Sequence, residues 1–316
     1  MQFILNPQIA DVTFDDFEAL CEMTKGWNLE LSKLDTTPFC GKLFQLAAQD
    51  LSLMHFDFNC HLKQKGEPPK GLQTIAIPSS PEFRIFWRNQ YVTGNSIMVF
   101  PYGGDLQAIS DPSFNVYSLG IDQMALFKKA EALGFPDFEQ NFLTAEVHQC
   151  KPDAMNHIRK TLCKLTRMTT ETEISAMRES ILFQLAYLIA TASTGHTLPS
   201  RKDKRIKLLR QADQCIISNP DEPVTVHNLS ETTGVSKRTL EYAFGEFYGV
   251  TPKAYITAVR LNAVRKLLKH STSKQRVADA ANAWGFWHMG KFAADYRKLF
   301  GENPSETLRS CVVNVG

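Results

Sequence analysis

From about Leu43 to Ile121 apolar residues recur in short runs, LFQLAAQDLSLMHFDF, QTIAIP, EFRIFW, SIMVF and FNVYSLGI, separated by turn clusters such as KQKGEPPKG and PYGGD. Short β-rich runs bounded by Gly, Pro and Asp predict strands, here enough of them for a small antiparallel barrel or sandwich. After Asp122 the spacing of apolar residues lengthens and predicts helices over 122–133, 153–168 and 173–193. Strands followed by helices predict an α+β unit. Within the second helix Met155, Ile158, Leu162 and Leu165 fall at heptad spacing, and Ile174, Met177, Ile181, Leu185 and Leu188 nearly do so in the third. Two such stripes either pair across a homodimer or pack back onto the strands, and the spacing leaves both open.

HTLPSRKDKR, residues 196–205, combines Pro199, Ser200 and a run of charge in the manner of an exposed interdomain connection. The organisation read from these signals is a first domain over 1–198, a linker over 199–204 and a second domain over 205–311. The length of 316 residues agrees with two domains.

Beyond the linker the pattern is helical throughout. After a helix over about 203–218, Leu229, Val235, Leu240 and Phe244 take the spacing that two crossing helices bury, with Gly234 supplying the tight turn. Ser236 can cap a second helix running to about Tyr248, which Gly249 and Pro252 end. A long amphipathic helix follows, with Tyr255, Val259, Val264, Leu267 and Leu268 inside and Arg260, Arg265, Lys266 and Lys269 outside. The motif then returns: Ala280, Ala281 and Ala283 allow close helix contact, Gly285 turns, and Phe292, Tyr296 and Phe300 form a buried stripe. Two helix-turn-helix units joined by one rigid helix would set their second helices about one DNA turn, ~34 Å, apart.

Charge sharpens this picture. The whole chain is only +2, but residues 1–200 hold 16 Lys/Arg against 22 Asp/Glu, a net of −6, and residues 201–316 hold 19 against 11, a net of +8. The basic half is the one suited to phosphates.

The strings G-V-S-K-R-T-L, then F-x-x-F-x-G-V-T-P, and then G-F-W-H-M-G-K-F-A-A-D-Y-R-K-L-F-G-E-N-P-S-E-T-L-R resemble the two halves of an AraC/XylS-family DNA-binding domain, the second half the XylS branch most. The resemblance covers roughly residues 205–310. It implies an all-α C-terminal domain with two helix-turn-helix units and a cupin-like antiparallel β-barrel plus helices before it. By the same resemblance Arg238, Thr239, Glu241 and Tyr242 face base edges from the first reading helix, and His288, Lys291 and Ala294 from the second. The chemistry agrees: Arg238 or Lys291 can grip guanine O6 and N7, Glu241 can accept from cytosine N4, and Thr239 can touch a thymine methyl. Lys237, Arg260, Arg297, Lys298 and the helix start at Asn303 to Ser305 suit phosphates, with Ser236 at the head of the first reading helix. Met289 and Gly290 have no polar reach, so the second unit is expected to read less sequence. Trp284 and Trp287 are expected to pack in the core or at its rim, whereas Tyr242 suits either a surface or a base-reading place.

The function expected is therefore a sequence-specific transcription regulator, an activator, with double-stranded promoter DNA and RNA polymerase as partners. No enzyme is expected. Gly285 to Lys291 matches the opening of a phosphate-cradling loop, but Phe292 stands where Ser or Thr must bind Mg²⁺. No G-x-S-x-G, H-E-x-x-H or paired Cys/His spacing occurs, so neither cofactor nor metal is called for. The seven cysteines are scattered without a C-x-x-C pair, and no leader or membrane-spanning run stands out. These features suit reduced thiols in a cytoplasmic protein.

Aromatic residues crowd the strand segments, and the family resemblance implies an effector pocket there, with a small aromatic acid as the XylS-like ligand. Arg84, Arg88 and His55 are candidate carboxylate anchors, with Trp87 beside them. Whether Arg84 or Ile85 points inward depends on strand register, which the sequence leaves open. Two other readings stand beside this one: control by a protein partner without a ligand, and a metal-cupin enzyme carrying a DNA-binding tail.

Overall fold

The alternating runs of the first half form strands in the computed structural model, which describes residues 7–313 apart from 25, 89, 102–103, 194–200, 219, 221–223 and 271–275. In chain order they are β1 (Gln8–Phe14), β2 (Asn28–Lys33), β3 (Gly41–Ala47), β4 (Leu51–Phe58), β5 (Leu62–Glu67), β6 (Gln73–Pro78), β7 (Arg84–Trp87), β8 (Gln90–Thr93), β9 (Ser96–Val99), β10 (Leu106–Ser110), β11 (Phe114–Ile121) and β12 (Val147–Gln149). The helices are α1 (Phe17–Met23), α2 (Gln123–Ala132), α3 (Phe138–Thr144), α4 (Pro152–Leu165) and α5 (Glu171–Ala190), then α6 (Arg201–Ser218), α7 (Val226–Thr233), α8 (Lys237–Tyr248), α9 (Pro252–Lys269), α10 (Val277–Asn282), α11 (Met289–Phe300) and α12 (Pro304–Val313). Two compact units result, one of Met1–Leu31, Phe39–Asn59 and Gln64–Thr197, the other of Ser32–Pro38, Cys60–Lys63 and Leu198–Gly316. Of the expected linker, 199 and 200 lie outside the described residues and Arg201 already opens α6.

The N-terminal unit carries a seven-stranded sheet ordered β1-β3-β4-β11-β6-β9-β12 and a five-stranded sheet ordered β2-β5-β10-β7-β8. Among the described residues no ladder joins the two, so they form separate layers and not the single closed barrel expected. The central strands β6, β9 and β11 of the larger sheet are buried on nearly every position, and the period of two in its strands decides what each face meets. On β11 Tyr117, Leu119 and Ile121 join the core under the helices, whereas Phe114, Val116 and Ser118 line an internal cavity. The neighbouring strands split the same way: Leu51 and Leu53 of β4 and Ile75 and Ile77 of β6 pack against helices, while Phe56, Phe58 and Ala76 face the cavity.

That helical core settles the question of the two heptad stripes. Met155, Ile158, Leu162 and Leu165 of α4 and Ile174, Ile181, Leu185 and Leu188 of α5 are all buried against the sheet residues just named, and Met177 packs beside them. Burying a Leu or Ile side chain is worth about 1.5–3 kcal/mol, so these stripes hold the helices to their own sheet. The dimer option for them falls away, and the large apolar residues left exposed on α5 are Phe183 and Tyr187.

In the C-terminal unit the helix boundaries follow local chemistry. Thr225 and Asn228 form a reciprocal capping box at the head of α7, and Gly234 closes that helix in the left-handed region with φ +67°. Thr251 caps α9 ahead of Pro252, and Gly301 ends α11 at φ +81°. The segments Ser32–Pro38 and Cys60–Lys63 are integral to this unit: Lys63 Nζ lies 2.6 Å from Asp213 and donates to the Tyr255 hydroxyl at 3.1 Å, and Lys33 Nζ donates to the Leu299 carbonyl at 2.9 Å. On α9 the expected outward row is half inward. Lys266 is exposed, but Arg260 and Arg265 are buried, the latter paired with Glu302 and lying over the Phe300 ring.

Candidate nucleic-acid interface

Each helix-turn-helix unit is a short helix, a glycine turn and a longer helix. In the first, α7 ends at Gly234 and the Ser236 hydroxyl caps α8 by accepting the Thr239 N–H at 3.2 Å. Leu229, Leu240, Ala243 and Phe244 are fully buried and lock the two helices together. Helical periodicity then leaves Lys237, Arg238, Thr239, Glu241 and Tyr242 exposed in the first turn and a half of α8. In the second unit Ala280 and Ala281 of α10 and Phe292, Tyr296 and Leu299 of α11 are buried. The Tyr296 hydroxyl pairs with the Thr307 hydroxyl at 2.8 Å and so ties α11 to α12. Exposed on this side are Trp287, His288, Gly290, Lys291, Ala294, Arg297 and Lys298. Ser305, in the first turn of α12, is exposed as well.

The structure thus brings most of the expected interface residues to exposed positions on the start of α8 and along α11, and corrects several details. Ser236 spends its hydroxyl on the helix cap and shares it with the Thr239 hydroxyl at 2.9 Å, so it organises α8. Tyr242 is 59% exposed but serves as a platform, with the Arg205 guanidinium 4.5 Å above its ring and Arg205 also paired to Glu246 at 2.6 Å. Arg260 does not reach solvent: it is 6% exposed, and burial lowers its pKa from the usual arginine value. Its position on the inner side of α9 withdraws it from any phosphate. Trp287 is 64% exposed and is therefore not core packing. His288 stands at the head of α11 without making a side-chain cap, which leaves its ring at the surface.

In the N-terminal unit the four candidate effector residues do not converge. Ile85 and Trp87 line the internal cavity, so Arg84 projects to the opposite side and is exposed. Arg88 is held in ion pairs with Asp105 at 2.7 Å and Glu146 at 2.9 Å. His55 lies on the other face of β4 from the cavity, stacked on Tyr117 with ring centroids 4.2 Å apart and hydrogen-bonded to Asn115 at 2.7 Å. Trp87 alone of the four reaches the cavity, a small space of about 50 Å³ with mainly aromatic and aliphatic walls. Gln64 on β5 was missed from sequence, although the alternation in LKQKGE buries Leu62 and Gln64 together and carried the signal.

Two helix-turn-helix units on one helical unit place the C-terminal region in a recognised class of nucleic-acid-binding fold. The Helix-turn-helix domain family matches residues 229–310. Over 104 residues the chain is 35% identical to the "Probable thc operon regulatory protein" of Rhodococcus erythropolis, covering 33% of this chain and 31% of that one. It is 37% identical over 99 residues to the "XylDLEGF operon transcriptional activator" of Pseudomonas putida, covering 31% of each chain. Among solved structures, that of a probable AraC family transcriptional regulator from Rhodopseudomonas palustris is 38% identical, covers 33% of this chain and 97% of that one, and superimposes with a TM-score of 0.31. Over this region the chain is similar to regulators of the AraC/XylS type. It spans about a third of the length of the curated relatives it matches. Among the described residues no helix is long and apolar enough to cross a membrane.

Proposed function

We propose that this chain is a sequence-specific DNA-binding transcription regulator that acts as an activator under the control of a small effector held in its N-terminal unit. The observation that carries the DNA-binding half is the set of exposed polar residues on α8, from Lys237 to Tyr242, and along α11, at His288, Lys291, Arg297 and Lys298, within residues 201–316, whose net charge is +8. Arg238 and Lys291 read guanine, Glu241 reads cytosine and Thr239 a thymine methyl, while Lys237, Arg297, Lys298 and Ser305 hold phosphates. Residues 1–198 serve sensing and dimerisation, and 205–311 bind promoter DNA. The two sheets act as a cupin-like enclosure around the cavity. A homodimer bound to a promoter repeat, recruiting RNA polymerase in the cytoplasm, completes the reading. Effector control requires different effector affinities in two states of the protein.

The small volume of the cavity favours a second reading, in which a protein partner replaces the effector. Fluorescence anisotropy with a duplex selected from a random pool tests the main proposal. The selected duplex should bind at least 10³-fold tighter than a scrambled one at physiological salt. Equal affinities would refute sequence-specific binding.

A further inference from the structure

The cavity between the two sheets of the N-terminal unit is apolar over most of its wall, yet two hydrogen-bond donors on that wall are unused. Gln64 is 6% exposed and Trp87 is 1% exposed; both line the cavity, and Gln64 Nε2 and Trp87 Nε1 have no hydrogen-bond partner. They sit on β5 and β7, the two strands that flank β10 in the five-stranded sheet. Leaving buried donors unpaired costs stability, so their presence asks for an acceptor that the protein itself does not supply. Among the described residues no charged side chain lines the cavity, and Arg84, Arg88 and His55 are engaged or exposed elsewhere. A carboxylate would enter without a counter-ion, which is strongly unfavourable in an apolar site.

We propose that this cavity binds a small, uncharged, mainly apolar molecule bearing a carbonyl-type acceptor, which takes hydrogen bonds from Gln64 Nε2 and Trp87 Nε1. The assignment rests on the effector reading and replaces the aromatic acid expected from the family resemblance by a neutral ligand. Aromatic and aliphatic side chains such as Phe56, Phe114 and Met98 supply contact area around the ligand body, and the two donors fix its orientation. The volume of about 50 Å³ restricts the occupant to something small. One water needs only ~10–15 Å³, so ordered water is the competing occupant.

Calorimetric titration of the full chain with three small probes of similar shape, isobutene, acetone and acetate, separates the possibilities. Acetone should bind about tenfold or more tighter than either of the others, since two neutral hydrogen bonds are gained over the hydrocarbon and no charge is buried. Gln64→Leu and Trp87→Phe should each bring acetone towards the affinity of isobutene while leaving isobutene itself unchanged. Gln64→Leu should also raise the melting temperature, because it removes an unpaired buried amide. Acetate binding as tightly as the ketone, isobutene matching it, or variants that leave the ranking intact would each overturn the ligand class while keeping a working pocket. Failure of all three probes to bind would mean a cavity that holds water only, and with it the effector reading would fall. The wild-type ranking decides the matter even if a variant does not fold.

Discussion

Gly234 and Gly285 hold the same left-handed backbone conformation, φ +67° and +73°, fifty-one residues apart at the turns of the two helix-turn-helix units. A side chain at either position meets the steric penalty of that region, about 1–2 kcal/mol for an ordinary residue. At Gly234 nothing lies within 4 Å of an added Cβ, so the penalty there is conformational and not a clash. Gly234→Ala is therefore expected to lower stability by ~1–2 kcal/mol while the fold survives, as urea titration of the purified protein would register. Gly234→Asn should recover part of the loss, since Asn tolerates this region better.

Arg238 and Lys298 are both exposed but are assigned different tasks. Arg238→Ala should lower affinity for a specific site by ~1–3 kcal/mol, with little effect on random duplex. Lys298→Ala should weaken both nearly equally and reduce the slope of log affinity against log salt by about one. Binding isotherms at several salt concentrations distinguish the two behaviours, and equal losses by Arg238→Ala on both duplexes would remove it from base reading.

Burial of Arg260 gives a contrasting expectation. Arg260→Met should leave the salt slope of DNA binding unchanged, because a side chain 6% exposed on α9 releases no counter-ion from DNA. A reduction of the slope by about one would return it to the phosphate contacts.

His148 on β12 is fully buried, and burial pushes its pKa down to about 4 from the ordinary 6.5. Between those values the unfolded chain takes up a proton that the folded chain refuses, so the native state loses stability as pH falls from 6.5 towards 4. The full loss is on the order of 3 kcal/mol at 1.36 kcal/mol per unit. His148→Leu should flatten the fall in urea midpoint across that window, and an unchanged profile would assign the acid sensitivity to other groups.

The C-terminal unit was legible because its chemistry is local. Gly234, Ser236 and Gly249 mark helix ends where the sequence indicates them, and the stripes Leu240–Phe244 and Phe292–Tyr296 obey helical spacing. Arg260 misled because a long charged side chain on an amphipathic helix normally faces water, and only tertiary packing buries it. The N-terminal unit was harder to read. β6 is buried along its whole length, since one face meets helices and the other the cavity, and such a strand shows no alternation to betray its inward side. The anchors Arg84 and His55 failed to converge for the same reason: a shift of one residue on a strand moves a side chain to the opposite face.

The proposed binding mode has α8 and α11 enter successive major grooves of one duplex. Hydroxyl-radical and guanine-methylation footprinting of the full chain on its selected site tests this most directly. Two groups of protected major-groove guanines about one helical turn, ~10–10.5 base pairs, apart on one face are expected, with the group nearest α8 lost in Arg238→Ala. Uniform backbone protection without protected guanines, unchanged by that substitution, would contradict it.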